Sequence, residues 1–406
     1  MVNQEDFLVE RWMDEFETTV QYQIAETCCA SLSLDEVSAI TGKPLPLAEI
    51  AQIPLTYGAI PGTAAAREAI SAIYNDSVVG SVPKVTPEQV LVTNGAIGGN
   101  FLLYYSLVGP GDHVVVVDPI YQQLQSVPRM FGADVSLLHL EEDAGYLPDL
   151  AKLKSLLKSN TKLVIINSPH NPTGAVLSTL QLEQIVKIVK DTYKEFHPDG
   201  TEPPYIQCDE VYRPVFLTTD ESTWPLSIVH VYERGVSTSS ATKAYGLAGL
   251  RFGWVVSRDA ALIEDCLKHR DYNTISVGLV DDALAAWALG NGGWRKLVQH
   301  HLTTIVLPNA AKLEEYVTSS NGAVSYVKPT GGTVVLLKIG GVKDTVSFCR
   351  DFIAAKSVLV VPGETFNKPG TIRIGFANKT ADLDIGLELL KDYLVEKRFV
   401  PSPWNL

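Results

Sequence analysis

Lys243 stands in the stretch Ser239-Ser240-Ala241-Thr242-Lys243-Ala244-Tyr245-Gly246-Leu247-Ala248-Gly249-Leu250-Arg251-Phe252-Gly253-Trp254. A lysine among small residues, followed by glycines and then an arginine, suits a covalent aldehyde cofactor that carries a phosphate. The amine can form a Schiff base with the aldehyde. Ser240 and Arg251 can then meet the phosphate, Arg251 with the forked donors that phosphate favours. Upstream, Asn167-Ser168-Pro169-His170-Asn171-Pro172-Thr173-Gly174 follows the apolar run Lys162-Leu163-Val164-Ile165-Ile166. That run reads as a buried strand, ended in a turn by the Asn-Pro and Thr-Gly pairs. Open α/β sheets bind ligands at the carboxyl ends of such strands.

Three further stretches carry matching chemistry. Pro204-Tyr205-Ile206-Gln207-Cys208-Asp209-Glu210-Val211-Tyr212-Arg213 sets Asp209 at a strand end. Thr93-Asn94-Gly95-Ala96-Ile97-Gly98-Gly99-Asn100 follows a strand-like run at 89–92 and opens an apolar helical run through Tyr105. A glycine-rich turn into a helix start offers amides and a positive dipole end to an anion. Ala96 and Ile97 bring no side-chain donor, so contact there is expected from the backbone. Thr371-Ile372-Arg373-Ile374-Gly375-Phe376 places an arginine in an apolar strand, where the plain reading is a structural ion pair.

In this order the motifs closely resemble those of the fold-type I pyridoxal 5'-phosphate (PLP) enzymes, the class I/II aminotransferase family, over roughly residues 50–395. The resemblance implies PLP joined to Lys243, which also acts as general base at the substrate α-carbon. It implies that Asn171 and Tyr212 meet the cofactor's phenolic oxygen. Asp209 is expected to pair with the ring nitrogen; a carboxylate keeps that nitrogen positive and the ring a stronger electron sink. Gly95, Ala96, Ile97, Ser240 and Arg251 are expected at the phosphate, and Tyr121 stacked on the ring. Arg373 is expected to grip the substrate α-carboxylate, with Asn171 beside it; planar bidentate recognition suits arginine. Tyr57, in Tyr57-Gly58-Ala59-Ile60-Pro61-Gly62, matches a tyrosine that reaches the phosphate of the neighbouring subunit, which implies a homodimer with a shared active site.

The chain departs from the pattern it resembles near the start. Ordinary members carry a glycine-bearing loop over the substrate, whereas here no glycine precedes Gly42. The opening, including Leu8-Val9-Glu10-Arg11-Trp12-Met13-Asp14, is similar to that of capreomycidine-synthase-like enzymes, PLP proteins that cyclise hydroxylated arginine. In those enzymes acidic residues near the N-terminus receive the guanidinium, which makes Glu10 and Glu26 the candidates, since carboxylates accept bidentate bonds from it. The plain reading of Glu10 and Asp14 is a solvated helix face, and of Thr27-Cys28 simple packing.

These groups need a scaffold. Strand-like runs alternate with helical ones from about residue 89 to 256, which predicts an α/β fold with a mainly parallel, seven-stranded-type sheet between helices. From 276 the chain reads as helical to about 319, then mixes strands at 334–338, 358–361 and 371–374 with helices, as a smaller α+β domain does. The expected division is 1–49 as the N-terminal segment of the small domain, 50–285 as the large PLP-binding domain, and 286–406 as the C-terminal small domain. The 406 residues are 46% apolar and carry a net charge of −13. That charge speaks against a nucleic-acid surface. No apolar run is long enough to cross a membrane, and the N-terminal residues do not read as a signal peptide. The five cysteines have no ligand-like spacing, so no metal is expected and a cytoplasmic location is.

The motifs leave the outcome open between transamination and elimination with cyclisation, because the first proton removal is common to both. A non-enzymatic PLP-binding regulator is the distant alternative; the acidic N-terminal fifty or so residues lack a helix-turn-helix pattern. A PLP synthase acting on an acyl-thioester would usually carry histidine where Tyr121 stands.

Overall fold

The run His-Val-Val-Val-Val-Asp at 113–118 is buried throughout, and Thr-Lys-Leu-Val-Ile-Ile-Asn at 161–167 at all positions but Lys162. Such unbroken apolar runs suit strands covered on both faces. The computed structural model describes residues 4–78 and 80–399. In chain order its strands are β1 (Tyr22–Gln23), β2 (Val90–Asn94), β3 (His113–Asp118), β4 (Asp134–His139), β5 (Thr161–Asn167), β6 (Tyr205–Asp209), β7 (Gly235–Ser240), β8 (Phe252–Ser257), β9 (Val324–Ser325), β10 (Val334–Ile339), β11 (Val358–Leu359), β12 (Val361–Pro362) and β13 (Thr371–Gly375).

Seven of them form one sheet in the order β2-β8-β7-β6-β5-β3-β4. Neighbours are parallel except where β8 intervenes, antiparallel to both β2 and β7. The carboxyl ends of β2, β3, β5, β6 and β7 therefore share one end of the sheet. The start of β8 lies there too, with Phe252 paired to Asn94 and Gly253 to Ser240. Helix Gly95–Leu107 packs on β7 and β8, and helix Ala64–Asn75 on β2. The fold is α/β with a mostly parallel sheet flanked by helices.

A second, antiparallel sheet has the order β12-β13-β10-β9. The strand expected at 358–361 divides at Val360: β11 pairs in parallel with β1, while β12 pairs with β13. The Val360 carbonyl accepts the Trp12 indole N–H at 2.8 Å, which draws the chain away from a continuous ladder. The helical run expected from 276 to 319 is likewise interrupted, by Gly290 and by Gly292 at φ +72°.

After β1, residues 24–32 run as a strap between the two parts. The Gly375 N–H donates to Ile24 O at 2.8 Å, Cys29 N–H to Lys243 O at 3.0 Å, Ala30 N–H to Ala377 O at 3.0 Å, and Leu32 N–H to Gly246 O at 3.0 Å. Among the described residues no helix is long and apolar enough to cross a membrane.

The strap passes so close to β13 that a Cβ on Gly375 would fall 1.8 Å from Glu26 O. Gly375→Ala is expected to lower stability by about 1–3 kcal/mol, the usual range for forcing atoms into a packed site. Thermal unfolding measures this, with Gly249→Ala as control, since a Cβ there meets nothing within 4 Å.

Candidate active site

The converging strand ends surround a cavity of about 370 Å³. Lys243, Ala96, Ile97, Tyr121, Asn171, Asp209, Tyr212, Ser240, Arg251, Arg373, Glu10 and Glu26 line it. Gly95 lies behind the Arg251 side chain. Tyr57 does not join them; it is 77% exposed on the surface.

One wall is shaped for an anion. Helix Gly95–Leu107 starts without a side-chain cap, so its first amides lack partners within the helix. Gly95 has φ +69°, and a Cβ there would sit 2.9 Å from Arg251 Nη2. A Cβ on Gly253 would meet Gly95 C at 2.3 Å, so the turn and β8 touch backbone to backbone. Arg251 itself is held at φ +47°, its Nη1 donating to Ala248 O at 3.0 Å. Ser240 is buried, and its Oγ accepts the Thr242 N–H at 3.3 Å.

Asp209 ends β6. Its Oδ2 accepts Asn100 Nδ2 at 3.0 Å and its Oδ1 the Val211 N–H at 3.0 Å. Burial lifts its pKa to about 6, with the Asn100 and Val211 bonds working in the opposite direction. Asn167 ties two strands together here: its Nδ2 donates to Asp209 O at 2.7 Å, and its Oδ1 accepts the Asn171 N–H at 2.7 Å. Tyr121 packs against Phe7, with ring centres 5.0 Å apart, and its hydroxyl donates to Glu10 Oε1 at 2.9 Å. Burial, then the Glu10 charge, raises the Tyr121 pKa; burial also raises that of Tyr212.

The Lys243 amine donates to Thr27 Oγ1 and reaches Cys28 Sγ at 3.4 Å. Burial opposes its charge, but Cys28, Tyr212 and Glu26 favour it, and the balance holds its pKa above the ordinary lysine value. Burial pushes the Cys28 thiol up to about 11, so at neutral pH the ionised neighbour is Glu26. Burial works against the Glu26 charge too, yet Lys243 and the N–H groups of Thr27 (2.6 Å) and Cys28 (2.9 Å) hold it below the usual range.

Arg373 is 3% exposed. Its Nη2 donates to Ala25 O at 3.2 Å, its Nη1 lies 3.5 Å from Asn171 Oδ1, and the guanidinium sits 5.1 Å from the Phe366 ring centre. Its Nε finds no partner, and among the described residues no acid forms an ion pair with it. The structural ion pair is thus absent there, and a buried cation in this state calls for an incoming anion.

Sequence reasoning overlooked several lining residues. Thr27 and Cys28, read as packing, contact Lys243 instead. Asn100 and Gln123 lie in quoted or neighbouring stretches, but their contact with each other depends on the fold. Met13 and Glu17 carried a usable signal: with Val9 and Glu10 they recur at the spacing of one helical face.

The profile of the aminotransferase class I and II family matches residues 42–390. The chain belongs to that family. Capreomycidine synthase of Streptomyces vinaceus is 27% identical over 390 residues, 95% of this chain and 93% of that protein. An aspartate aminotransferase of Thermotoga maritima is 30% identical over 314 residues, 76% of each chain. Among solved structures, a PLP-dependent aminotransferase from Streptococcus suis superposes with a TM-score of 0.88 at 34% identity, over 99% of this chain and 100% of that one. The PLP-dependent cyclase OrfR shares the fold, with a TM-score of 0.83 at 24% identity over 97% and 98%.

The chain is accordingly a PLP-dependent enzyme, and the cavity fits that cofactor. The uncapped amides beside Ala96 and Ile97, with Ser240 and Arg251, could hold a phosphate. Asp209 could meet the ring nitrogen, Asn171 and Tyr212 the phenolic oxygen, and Lys243 the aldehyde carbon.

Lys243→Ala is expected to abolish covalent cofactor attachment and to reduce turnover on the order of 10³-fold or more. Protein mass after borohydride reduction, beside a circular dichroism spectrum, checks both the lost bond and the intact fold. A second expectation concerns pH. The folded pKa of Asp209, about 6, lies above that of an unfolded aspartate, so the folded cofactor-free chain holds this proton more tightly. Its contribution to stability is full below about pH 4 and is lost as pH rises towards 6, on the order of 2 kcal/mol. Denaturant unfolding of the cofactor-free protein at both pH values, compared with Asp209→Asn, measures the difference.

Proposed function

We propose that the enzyme acts at the α-carbon of a basic amino acid, a (hydroxy)arginine-like substrate, and drives elimination with cyclisation. One observation carries this reading. The cavity joins a buried arginine, whose Nε is unpartnered, to three glutamates, Glu10, Glu17 and Glu26, that form no ion pair among the described residues. With Arg373 on the α-carboxylate, those acids remain for a cation at the far end of the substrate. A guanidinium matches them through paired donors.

PLP, when bound, supplies a sink for the electrons released at the α-carbon. The residues do the rest. Arg373, with Asn171 beside it, would fix the carboxylate within the cavity that Lys243 also lines. Lys243 takes the α-proton, and Thr27 Oγ1 gives its ammonium a resting place. Asp209 would pair with the ring nitrogen and Tyr212 and Asn171 with the phenolic oxygen, and Tyr121, its hydroxyl bonded to Glu10, would lie against the ring. Ser240, Arg251 and the turn at Gly95, Ala96 and Ile97 would hold the phosphate. Loss of a side-chain hydroxyl as water, followed by addition of the substrate's own nitrogen, closes a ring without a second substrate.

Simple amino-group transfer to a 2-oxo acid is the second reading, favoured by the identity to the aspartate aminotransferase. Coverage does not divide the two readings: the match to capreomycidine synthase spans 95% of the chain, and that to the Streptococcus suis aminotransferase structure 99%.

The working unit in this proposal is a cytoplasmic homodimer. Tyr57 shares its exposed surface with Leu55, 85% exposed, and Ile60, on a segment pinned where Thr63 N donates to Asp282 Oδ2 at 3.1 Å. An apolar patch on a fixed segment fits a subunit interface, with Tyr57 reaching the partner's phosphate. The domain division follows the same reading: 50–285 as the large domain, 1–49 and 286–406 as the small one, joined through β1 and β11. Residues 1–3, 79 and 400–406 of that division lie outside the described residues.

Product mass decides between the readings. With the β- and γ-hydroxylated forms of arginine, a product short of one water but retaining its α-nitrogen, formed without 2-oxoglutarate, is expected; arginine itself, with no hydroxyl to lose, is the control and gives none. A keto acid formed only with the acceptor present would make it an aminotransferase. Glu26→Gln should raise KM for the guanidino substrate about tenfold, in line with a charged hydrogen bond.

A further inference from the structure

The chemistry above leaves a buried polar chain behind Asp209 unused. Asn100, 1% exposed, sits about one and a half turns into the helix that begins at Gly95. Its Nδ2 donates to Asp209 Oδ2 at 3.0 Å and to Gln123 Oε1 at 3.2 Å. Its Oδ1 accepts Gln207 Nε2 at 2.8 Å. Gln207 lies two residues before Asp209 on β6, on the same face of the strand, and donates to Thr238 Oγ1 at 3.1 Å as well. Gln123 Nε2 in turn donates to Ile97 O at 2.7 Å.

An amide can offer either its oxygen or its nitrogen to a neighbour. Here Gln207 presents a donor to Asn100, so the Asn100 oxygen turns towards Gln207 and the nitrogen towards the carboxylate. With the two ends exchanged, Asn100 would set an acceptor against Asp209 and a donor against Gln207 Nε2. From Gln207 to Asp209 the bonds therefore run one way, each amide nitrogen donating towards the carboxylate, while Thr238 Oγ1 accepts from the same Gln207 nitrogen.

We propose that Asn100 is a positioning residue for the cofactor: oriented by Gln207, its amide holds the Asp209 carboxylate towards the ring nitrogen and, through Gln123, couples it to the turn at the phosphate. One helix thereby serves both ends of the cofactor, with its first amides at the phosphate and Asn100 at the partner of the ring. Hydrogen bonds to the charged form of a buried acid favour that form, so the amide opposes the burial that lifts Asp209.

This inference rests on the reading of Asp209 given above, and the experiment separates the two. PLP is removed from the enzyme, and the Kd for its return is measured by protein fluorescence, beside kcat and KM of the reconstituted enzyme. Asn100→Leu is expected to raise the PLP Kd about tenfold or more and to lower kcat, with KM changed by less than about twofold. Gln207→Met, close in volume, frees the amide to turn and is expected to raise the Kd about threefold. The double variant should be no weaker than Asn100→Leu alone, because Gln207 acts through Asn100. Purely structural roles would instead give additive losses in Tm with an unchanged Kd, and that result overturns the proposal. If Asn100→Leu does not fold, an unchanged Kd in folded Gln207→Met overturns it equally. Asp209→Ala is measured alongside. An unchanged Kd there removes the reading of Asp209 and this inference with it; a raised Kd there with none in Asn100→Leu overturns the inference alone.

Discussion

The strap at residues 24–32 is the constraint on which the site depends. Adjacent residues of one extended segment are bonded to opposite halves: Cys29 to the carbonyl of Lys243, Ala30 to that of Ala377. Lys243 and Arg373 lie far apart in sequence, yet both must address one small substrate. The strap fixes their spacing by backbone bonds, which depend on conformation and not on side-chain identity. It also leaves its side chains free to face inward, and Glu26, Thr27 and Cys28 do so. A glycine-bearing loop would lack them. The strap thus brings three polar side chains to the wall of the cavity.

Much of the site was legible because its motifs are local. Asn171, Asp209 and Lys243 each follow a strand within a few residues, and a parallel sheet gathers the ends of its strands. The order of the motifs was enough to anticipate that they would meet. Arg251 was legible by its motif, but the reason for its position was not: it precedes the one antiparallel strand, whose start joins the other strands' carboxyl ends. What stayed hidden was long-range and side-chain mediated. The bond from Lys243 to Thr27 spans 216 positions and that from Asn100 to Asp209 spans 109, and no periodicity encodes either. The break at Val360 arose the same way, from a distant tryptophan taking a carbonyl out of the ladder.

Charge is distributed economically in the cavity. Arg373 is buried without an acidic partner in the described chain, and isolated buried cations are costly. Glu10 and Glu26 lie near enough to favour its charge without pairing with it. Such an arrangement keeps donors open for an incoming carboxylate, at the expense of stability in the ligand-free protein. Glu26 is similarly prepared, one oxygen tied to two backbone N–H groups and the carboxylate also bonded by the Cys28 thiol.

The antiparallel strand has a consequence for the order in which the molecule can assemble. β2 is the outermost strand of its sheet, and its single neighbour there is β8, more than 150 residues later in the chain. During synthesis β2 and the turn that follows it must wait, unpaired, while β3 to β7 emerge and build the parallel core. An unpaired strand is open to wrong partners, and contacts of such separation form slowly. When β8 does arrive, it satisfies the waiting strand and seats Arg251 against Gly95 in the same event. The wall of the cavity formed by Gly95 and Arg251 therefore comes into being late and all at once, so a partly made chain has most of its sheet but not that wall.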